Sequence, residues 1–260
     1  MIRAAIEKTV GHRRLIGILF GFWVGGMRFL LAQDVCPPSS SEPPALTHYK
    51  GREIATTMHY SGASWLTRES RQREEDCESM LRELGVQLGM TVCDMGCGNG
   101  FYTLEIAKLV GPQGRVLAVD IQPEMLRLME ARAAEAEIRN IESVLGTVAD
   151  PKLPKGQVDV VLCVDVYHEF SHPESMLRAM RDSLSKHGRI VLVEFRAEDP
   201  AVPIKPLHKI SKEQILTELI PNGLRLVKQF DGLPWQHMMF FESDPAAADT
   251  HPNAREPAPR

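Results

Sequence analysis

The chain has 260 residues, 43% of them hydrophobic and 25% charged, which suits one globular domain with extensions and excludes a low-complexity or collagen-like chain. Its formal net charge of −4 is unevenly spread: residues 1–32 carry five basic residues against one acidic residue, so the remainder carries −8. An acidic body argues against nucleic acid as the partner, because phosphate binding needs a basic face.

Residues 1–14 are basic, and Leu15 to Ala32 are almost wholly apolar, with Arg28 as the interruption. Leu30-Leu31-Ala32 then offers a small-residue cleavage pattern before Gln33. Residues 1–32 therefore read as a signal-peptide-like or membrane-anchor segment, and residues 15–32 would allow membrane association. Arg13-Arg14 ahead of the apolar run resembles a twin-arginine export signal. Positive charge before such a run predicts that the following chain lies outside the cytoplasm. A mis-assigned start codon would remove that expectation. Residues 33–47, rich in Pro and Ser, read as a linker.

Residues 48–84 are expected to form an N-terminal helical cap, with Ser70 to Leu84 as a charged amphipathic helix carrying Met80, Leu81 and Leu84 on one face. The core is expected over residues 85–243. Thr91 to Asp94 is a short strand, and Tyr102 to Val110 a helix stopped by Gly111-Pro112. Arg115 to Asp120 is the second strand. Pro123 sits at a first helical position, and that helix runs to about Glu137. Ile141 to Leu145 is a strand, and Val158 to Val164 is one with no polar face, as expected when both sides are covered. Ser171-His172-Pro173-Glu174 matches a capping box for a helix through Leu184. Arg189 to Phe195 is a fifth strand. A second capping box, Ser211 to Gln214, opens a helix to about Ile220. Leu224 to Phe230 and His237 to Phe241 are strands joined by a turn at Asp231-Gly232. The tail 244–260, Pro- and Ala-rich without apolar period, is expected to be disordered.

This alternation predicts a Rossmann-like α/β fold: a seven-stranded, mostly parallel sheet with an antiparallel terminal hairpin and helices on both faces. Asp94-Met95-Gly96-Cys97-Gly98-Asn99-Gly100 sits where the first strand turns into a helix. Gly96, Gly98 and Gly100 allow a tight bend and close approach of a ligand, and the helix N-terminus offers unpaired N–H groups. The spacing is G-x-G-x-G, whereas G-x-G-x-x-G would indicate a dinucleotide such as NAD. Asp120 follows twenty residues beyond Gly100, at a strand end where a carboxylate can accept from both hydroxyls of a ribose.

Together, Val92 to Gly100 and Val119-Asp120-Ile121 resemble the first and second motifs of the class I S-adenosylmethionine-dependent methyltransferase family, and the resemblance extends over about Leu81 to Phe241. It implies S-adenosylmethionine as cofactor. Asp94 and the glycine loop would hold its methionine part, Asp120 the ribose, and Ile121 would pack on the adenine. Where the family often has Gly-Asp-Ala after the third strand, this chain has Gly146-Thr147-Val148. Thr147 and Val148 would then meet the adenine, with Asp150 as a nearby substitute for the missing acid. An export-like N-terminus stands at odds with a cofactor made in the cytoplasm.

In open α/β sheets ligands bind beyond the carboxyl ends of the strands, where strand order switches. Asp165-Val166-Tyr167-His168-Glu169-Phe170 leaves the fourth strand at that place. By the resemblance, Asp165 lies near the methionine end of the cofactor. His168 is the candidate base, since an imidazole with an ordinary pKa of about 6.5 suits proton removal near neutrality. Its other reading is a hydrogen bond or a cofactor contact, because in-line placement alone can supply much of the rate. Tyr60 and Trp65 would form a lid over the acceptor, with Tyr167 beside it, and Lys205-Pro206-Leu207-His208-Lys209 after the fifth strand reads as a basic surface loop or as a segment reaching the acceptor site. The five cysteines, Cys36, Cys77, Cys93, Cys97 and Cys163, show neither a disulfide framework nor a C-x-x-C pair, and there is no H-E-x-x-H, so no metal site is expected. The reading is thus a methyltransferase acting on a small-molecule acceptor. A membrane-associated lipid or protein methyltransferase, or a catalytically silent module that binds S-adenosylmethionine, are the alternatives.

Overall fold

A computed structural model describes residues 43–248. The export-like segment 1–32, most of the linker and the end of the tail lie outside the described residues. No helix among the described residues is long and apolar enough to cross a membrane.

Nine strands are present among the described residues. A two-stranded antiparallel ladder pairs β1 (His48–Tyr49) with β2 (Arg52–Glu53). The others form one sheet: β3 (Thr91–Met95), β4 (Arg115–Asp120), β5 (Ile141–Leu145), β6 (Val158–Val164), β7 (Leu184–Phe195), β8 (Leu224–Phe230) and β9 (Gln236–Ser243). Its order is β5-β4-β3-β6-β7-β9-β8. The first five strands run parallel, and β9 lies antiparallel to both β7 and β8. Successive strands leave β3 in opposite directions, β4 to one side and β6 to the other. The switch therefore falls between β3 and β6, and a crevice opens there above the carboxyl ends.

Successive side chains of a strand point to opposite faces, and here both faces are buried. Cys93, Val161, Cys163, Ile190 and Leu192 face a core built with Met176, Leu177 and Met180 of α5 (Pro173–Ser183) and Ile215 and Leu219 of α6 (Lys212–Leu219). Val92, Val160, Leu162, Val191 and Val193 face the opposite core. That core holds Met80 and Leu84 of α2 (Cys77–Leu84) and Ile106 and Val110 of α3 (Phe101–Val110). A third cluster seats α4 (Pro123–Glu135) through Leu126, Met129 and Ala133 against Ala118 and Leu104. The alternation of Val92 with Cys93 and of Val160 with Val161 thus assigns one residue to each layer.

The local signals act where they are placed, with three shifts. Ser211 caps α6 by accepting from the Gln214 N–H, and Pro123 starts α4. The helix expected over Ser70 to Leu84 is instead broken into α1 (Arg71–Glu75) and α2. Asp76 between them adopts φ +47 and accepts from the Ser79 N–H at 3.2 Å. An aspartate tolerates the left-handed region and its carboxylate restarts the helix, so it acts as break and cap together. The N-cap of α5 is His172 rather than Ser171 and makes no side-chain cap bond; its ring reaches the Pro43 carbonyl at 2.6 Å. Strand β7 begins at Leu184, earlier than the apolar run from Arg189, through an irregular register beside Val158. Residues 48–70 add the β1–β2 ladder and a 3-10 turn, Tyr60–Thr67, to the cap. In the tail, Pro245–Ala248 form one helical turn.

Candidate active site

A cavity of about 670 Å³ occupies the crevice over the carboxyl ends of β3, β4, β6 and β7. Gly96, Gly98, Asp120, Ile121, Thr147, Val148 and Asp165 line it at one end. His168, Glu169, Phe195, Ile204 and His208 line another part, and Met58, Trp65 and Leu66 of the N-terminal segment close over it.

The glycine loop follows β3 because the chain must turn sharply to enter α3. Gly96 and Gly98 have φ +67 and +55, where a side chain is strained. Added Cβ atoms would collide with the Val166 and Leu66 side chains, so close packing leaves no room for a side chain at either position. Gly100 is the N-cap of α3, packs against Met129 and does not line the cavity. Asp120, at the end of β4, is held by two backbone donors: Gly98 N–H at 3.0 Å and Gln122 N–H at 2.8 Å. Burial raises its carboxyl above the ordinary value, against the pull of those hydrogen bonds. The same aspartate thereby ties the glycine loop to the start of α4.

Asp94 is buried beneath the loop and accepts from the Thr103 hydroxyl at 2.5 Å. Burial pushes its carboxyl up to about 6, with Thr103 and Arg71 pulling it down. It lines a small cavity of about 30 Å³ with Arg71, Gly96 and Tyr102 rather than the main one. Asp165 has φ +50, uncommon for a residue with a side chain. Its Oδ2 accepts from Gln236 Nε2 at 2.7 Å, whereas its buried Oδ1 has no partner. Burial and the charges of Glu75 and Glu194 raise this carboxyl well above the usual range.

Thr147 Oγ1 is occupied in a local turn, accepting from Ala149 and Asp150 N–H. Asp150 pairs with Lys152 Nζ at 2.6 Å and does not line the cavity. Ile121 and Val148 have exposed apolar side chains and line the cavity together with Thr147.

His168 follows β6 on a short 3-10 turn, Tyr167–Glu169, and is 2% exposed. Its Nδ1 lies 2.7 Å from Glu194 Oε2, and its Nε2 lies 3.1 Å from His208 Nδ1. Burial opposes charge on His168, but the Glu194 carboxylate outweighs it and raises the imidazole above its ordinary value. Burial and the neighbouring His168 lower His208. Glu169 is pushed up to about 7 by burial, against the attraction of His168 and a 3.3 Å bond from the Met58 N–H.

Trp65 lines the cavity and stacks on the Arg68 guanidinium, 3.9 Å from the ring centre. Tyr60 does not line it; its backbone N–H donates to Gln122 Oε1 and its ring lies on His59. Tyr167 points the other way, fully buried, and donates to Glu218 Oε2 at 2.7 Å. Four further residues complete the site: Asn99 of the glycine loop, His208 of the segment after the fifth strand, and Glu194 and Gln122, which carry no signal of their own in the sequence. Glu194 and His208 meet His168 only through the fold, and Gln122 and Asn99 bond the Met58 and Ala63 carbonyls, tying the N-terminal segment to the cofactor loops. Cys93, Cys97 and Cys163 are free and buried, and burial pushes their thiols well up, so they serve as core and loop residues.

A family model for the methyltransferase domain matches residues 87–238, more than half of the chain and the whole span from β3 into β9. The chain belongs to the class I S-adenosylmethionine-dependent methyltransferases. A demethylmenaquinone methyltransferase from Lactococcus lactis subsp. lactis is 26% identical over 141 residues, 54% of this chain and 54% of that one. The ubiquinone/menaquinone biosynthesis C-methyltransferase UbiE of Ectopseudomonas mendocina is 31% identical over 112 residues, 43% of this chain and 44% of the relative. The methyltransferase thus spans about half the length of these curated relatives. The solved structure of a SAM dependent methyltransferase from Aquifex aeolicus superposes with a TM-score of 0.67 at 25% identity, covering 71% of this chain and 98% of that one.

The family cofactor, S-adenosylmethionine, fits the residues present. Gly96 and Gly98 line the cavity at positive φ with no side chain of their own, which lets a ligand approach the loop backbone. The unpartnered Asp165 Oδ1 suits the methionine ammonium, and Asp120 keeps acceptor capacity for ribose hydroxyls beyond its two backbone bonds.

Proposed function

We propose that this methyltransferase acts on a small, largely apolar acceptor that enters the cavity on the side of Trp65, Phe195 and His168. The observation that carries the reading is one cavity whose lining includes the cofactor cradle, the apolar side chains of Met58, Trp65, Phe195 and Ile204, and the His168–His208 pair. When bound, the cofactor supplies a methyl group on a sulfonium sulfur.

Gly96, Gly98 and Asp165 would hold its methionine part, with Asp94 supporting the loop from beneath, Asp120 would hold the ribose, and Ile121, Thr147 and Val148 the adenine. Trp65, Leu66 and Met58 exclude water from above. Phe195 and Ile204 orient the acceptor, so that placement replaces a bimolecular encounter. His168 is the side chain at which an acceptor proton would be lost. Glu194 fixes its ring through Nδ1 and leaves Nε2 on the side of His208. The relatives named for quinone biosynthesis support an apolar ring-bearing acceptor. The apolar run 15–32 supports the second reading, an acceptor drawn from a membrane.

Calorimetry with S-adenosylhomocysteine tests the cofactor half. Wild type is expected to bind it, and Asp120→Ala to lose at least tenfold in affinity. Tight binding of NAD with no response to S-adenosylhomocysteine would overturn the reading. The acceptor half is tested by mass shift on a panel of phenols and quinols. Cofactor binding with no methyl transfer to any nucleophile in the panel or in membrane extracts would favour the silent binding module.

A further inference from the structure

Three potential metal ligands converge on one wall of the cavity: His168, Glu169 and His208, whose ligand atoms all lie within 4.8 Å of one another. They come from two distant chain segments, the turn after β6 and the 3-10 turn Pro206–His208 after β7. The spacing His-Glu…His therefore matches no short metal motif. The fold alone brings these side chains together.

Two imidazole nitrogens, His168 Nε2 and His208 Nδ1, face each other at 3.1 Å with their rings at 88°. Two ligands on a tetrahedral zinc-like ion at about 2.0–2.1 Å each would stand roughly 3.4 Å apart, so a small ring movement admits an ion. The far side of His168 meets the condition for a ligand imidazole. Its Nδ1 is bonded to a fully buried carboxylate, Glu194, which fixes the tautomer and directs the Nε2 lone pair outward. Glu194 is itself held by the Tyr167 N–H at 2.9 Å. Glu169 engages only a long 3.3 Å bond through Oε1.

Two imidazoles and one carboxylate form a donor set that suits zinc, iron or cobalt rather than magnesium or calcium. Three protein ligands also leave positions open toward the cavity, the pattern of catalytic rather than structural sites. We propose that His168, His208 and Glu169 bind a divalent transition-metal cation at the acceptor end of the cavity, with Glu194 orienting His168. The inference rests on the methyltransferase reading for what lies opposite the ion. An acceptor oxygen, nitrogen or sulfur enters the open positions, and the cation's charge eases loss of its proton to solvent. His168 then acts as a ligand instead of taking that proton itself.

The test uses tag-free full-length protein stripped with a chelator and titrated with Co²⁺, followed by metal analysis and the visible spectrum. One Co²⁺ per chain is expected, with d–d bands that Zn²⁺ abolishes. His208→Ala should lose the bands, Glu169→Gln should weaken binding, and Glu194→Gln should weaken it about 10–100-fold. Binding of S-adenosylhomocysteine is measured on the same samples. Asp120→Ala should lose that ligand and keep the cobalt spectrum, which separates failure of the metal site from failure of the cofactor site. Absence of stoichiometric Co²⁺, or a spectrum unchanged in both His208→Ala and Glu169→Gln, would overturn the proposal.

Discussion

At the residue scale, Asp94 illustrates how a carboxyl beneath the glycine loop is held at a cost to stability. Its carboxyl is buried with one hydroxyl donor, and its pKa rises to about 6 from the ordinary 3.8. A carboxyl raised in the folded state adds stability that is complete below the ordinary value and is lost as pH rises through about 6. At neutral pH the charged form therefore opposes folding, by on the order of 2–3 kcal/mol. Asp94→Asn should accordingly raise the melting temperature relative to wild type at pH 7.5, with the gap closing toward pH 4, and weaken S-adenosylhomocysteine binding at least tenfold. Calorimetric melts at the two pH values check this; a lower midpoint for the variant at pH 7.5 contradicts the burial argument. Asp94, Asp120 and the glycines were legible in the sequence because each obeys a local rule of strand end, loop and helix start. The pairing of His168 with Glu194 and His208 was not, because a side chain's partner across 26 or 40 residues leaves no trace in local periodicity.

At the element scale, the turn carrying His168 is anchored from behind by β2 and α6. Arg52 forks onto Glu218 with Nε–Oε1 2.8 Å and Nη2–Oε2 3.0 Å, and its Nη1 donates to the His168 carbonyl at 2.8 Å. Glu218 is fully buried and also accepts from Tyr167 and Gln214. Removing one partner of such a pair leaves an uncompensated buried charge, so Arg52→Ala should destabilise by about 3–5 kcal/mol in urea unfolding. Arg52→Lys, which keeps charge without the fork, should fall between. Equal stability of Arg52→Ala and wild type would mean that the network does not hold the turn. This anchoring also explains Tyr167, expected beside the acceptor. The 3-10 turn sends consecutive side chains to different sides, His168 to the cavity and Tyr167 to the core.

At the scale of the whole molecule, the N-terminal segment closes the cavity while contributing little to the core: between Ile54 and Leu66 the buried residues are Ala55 and Ala63. It is held by polar ties, Gln122 to the Met58 carbonyl and Asn99 to the Ala63 carbonyl. Segments with few buried apolar contacts open at low free energy, and a ligand that bridges them to the body shifts that equilibrium. S-adenosylhomocysteine should therefore slow trypsin cleavage at Arg68, which stacks on Trp65 over the cavity. Cleavage at an unchanged rate under saturating ligand would show that the segment does not close on it. The proposed export or anchoring role of residues 1–32 is checked separately, by mass spectrometry of the mature N-terminus after expression in cells. Cleavage after Ala32 is the expected outcome for a signal peptide, and an intact start for an anchor.

The sequence by itself determined the parallel α/β core, the edge hairpin and the cofactor loops. These rest on period-two and period-3.6 burial and on glycines at a strand-to-helix turn, all local in the chain. Only the tertiary structure decided which side chains share the cavity around His168. It placed Trp65 there but not Tyr60, turned Tyr167 into the core, and set His208 and Glu194 on either side of His168. Contacts of that kind depend on strand order and crossover, in which residues far apart in the chain meet at the carboxyl ends of adjacent strands. The glycine loop could be read in advance because it carries its own geometry, whereas the histidine pair exists only once β6 and β7 lie side by side.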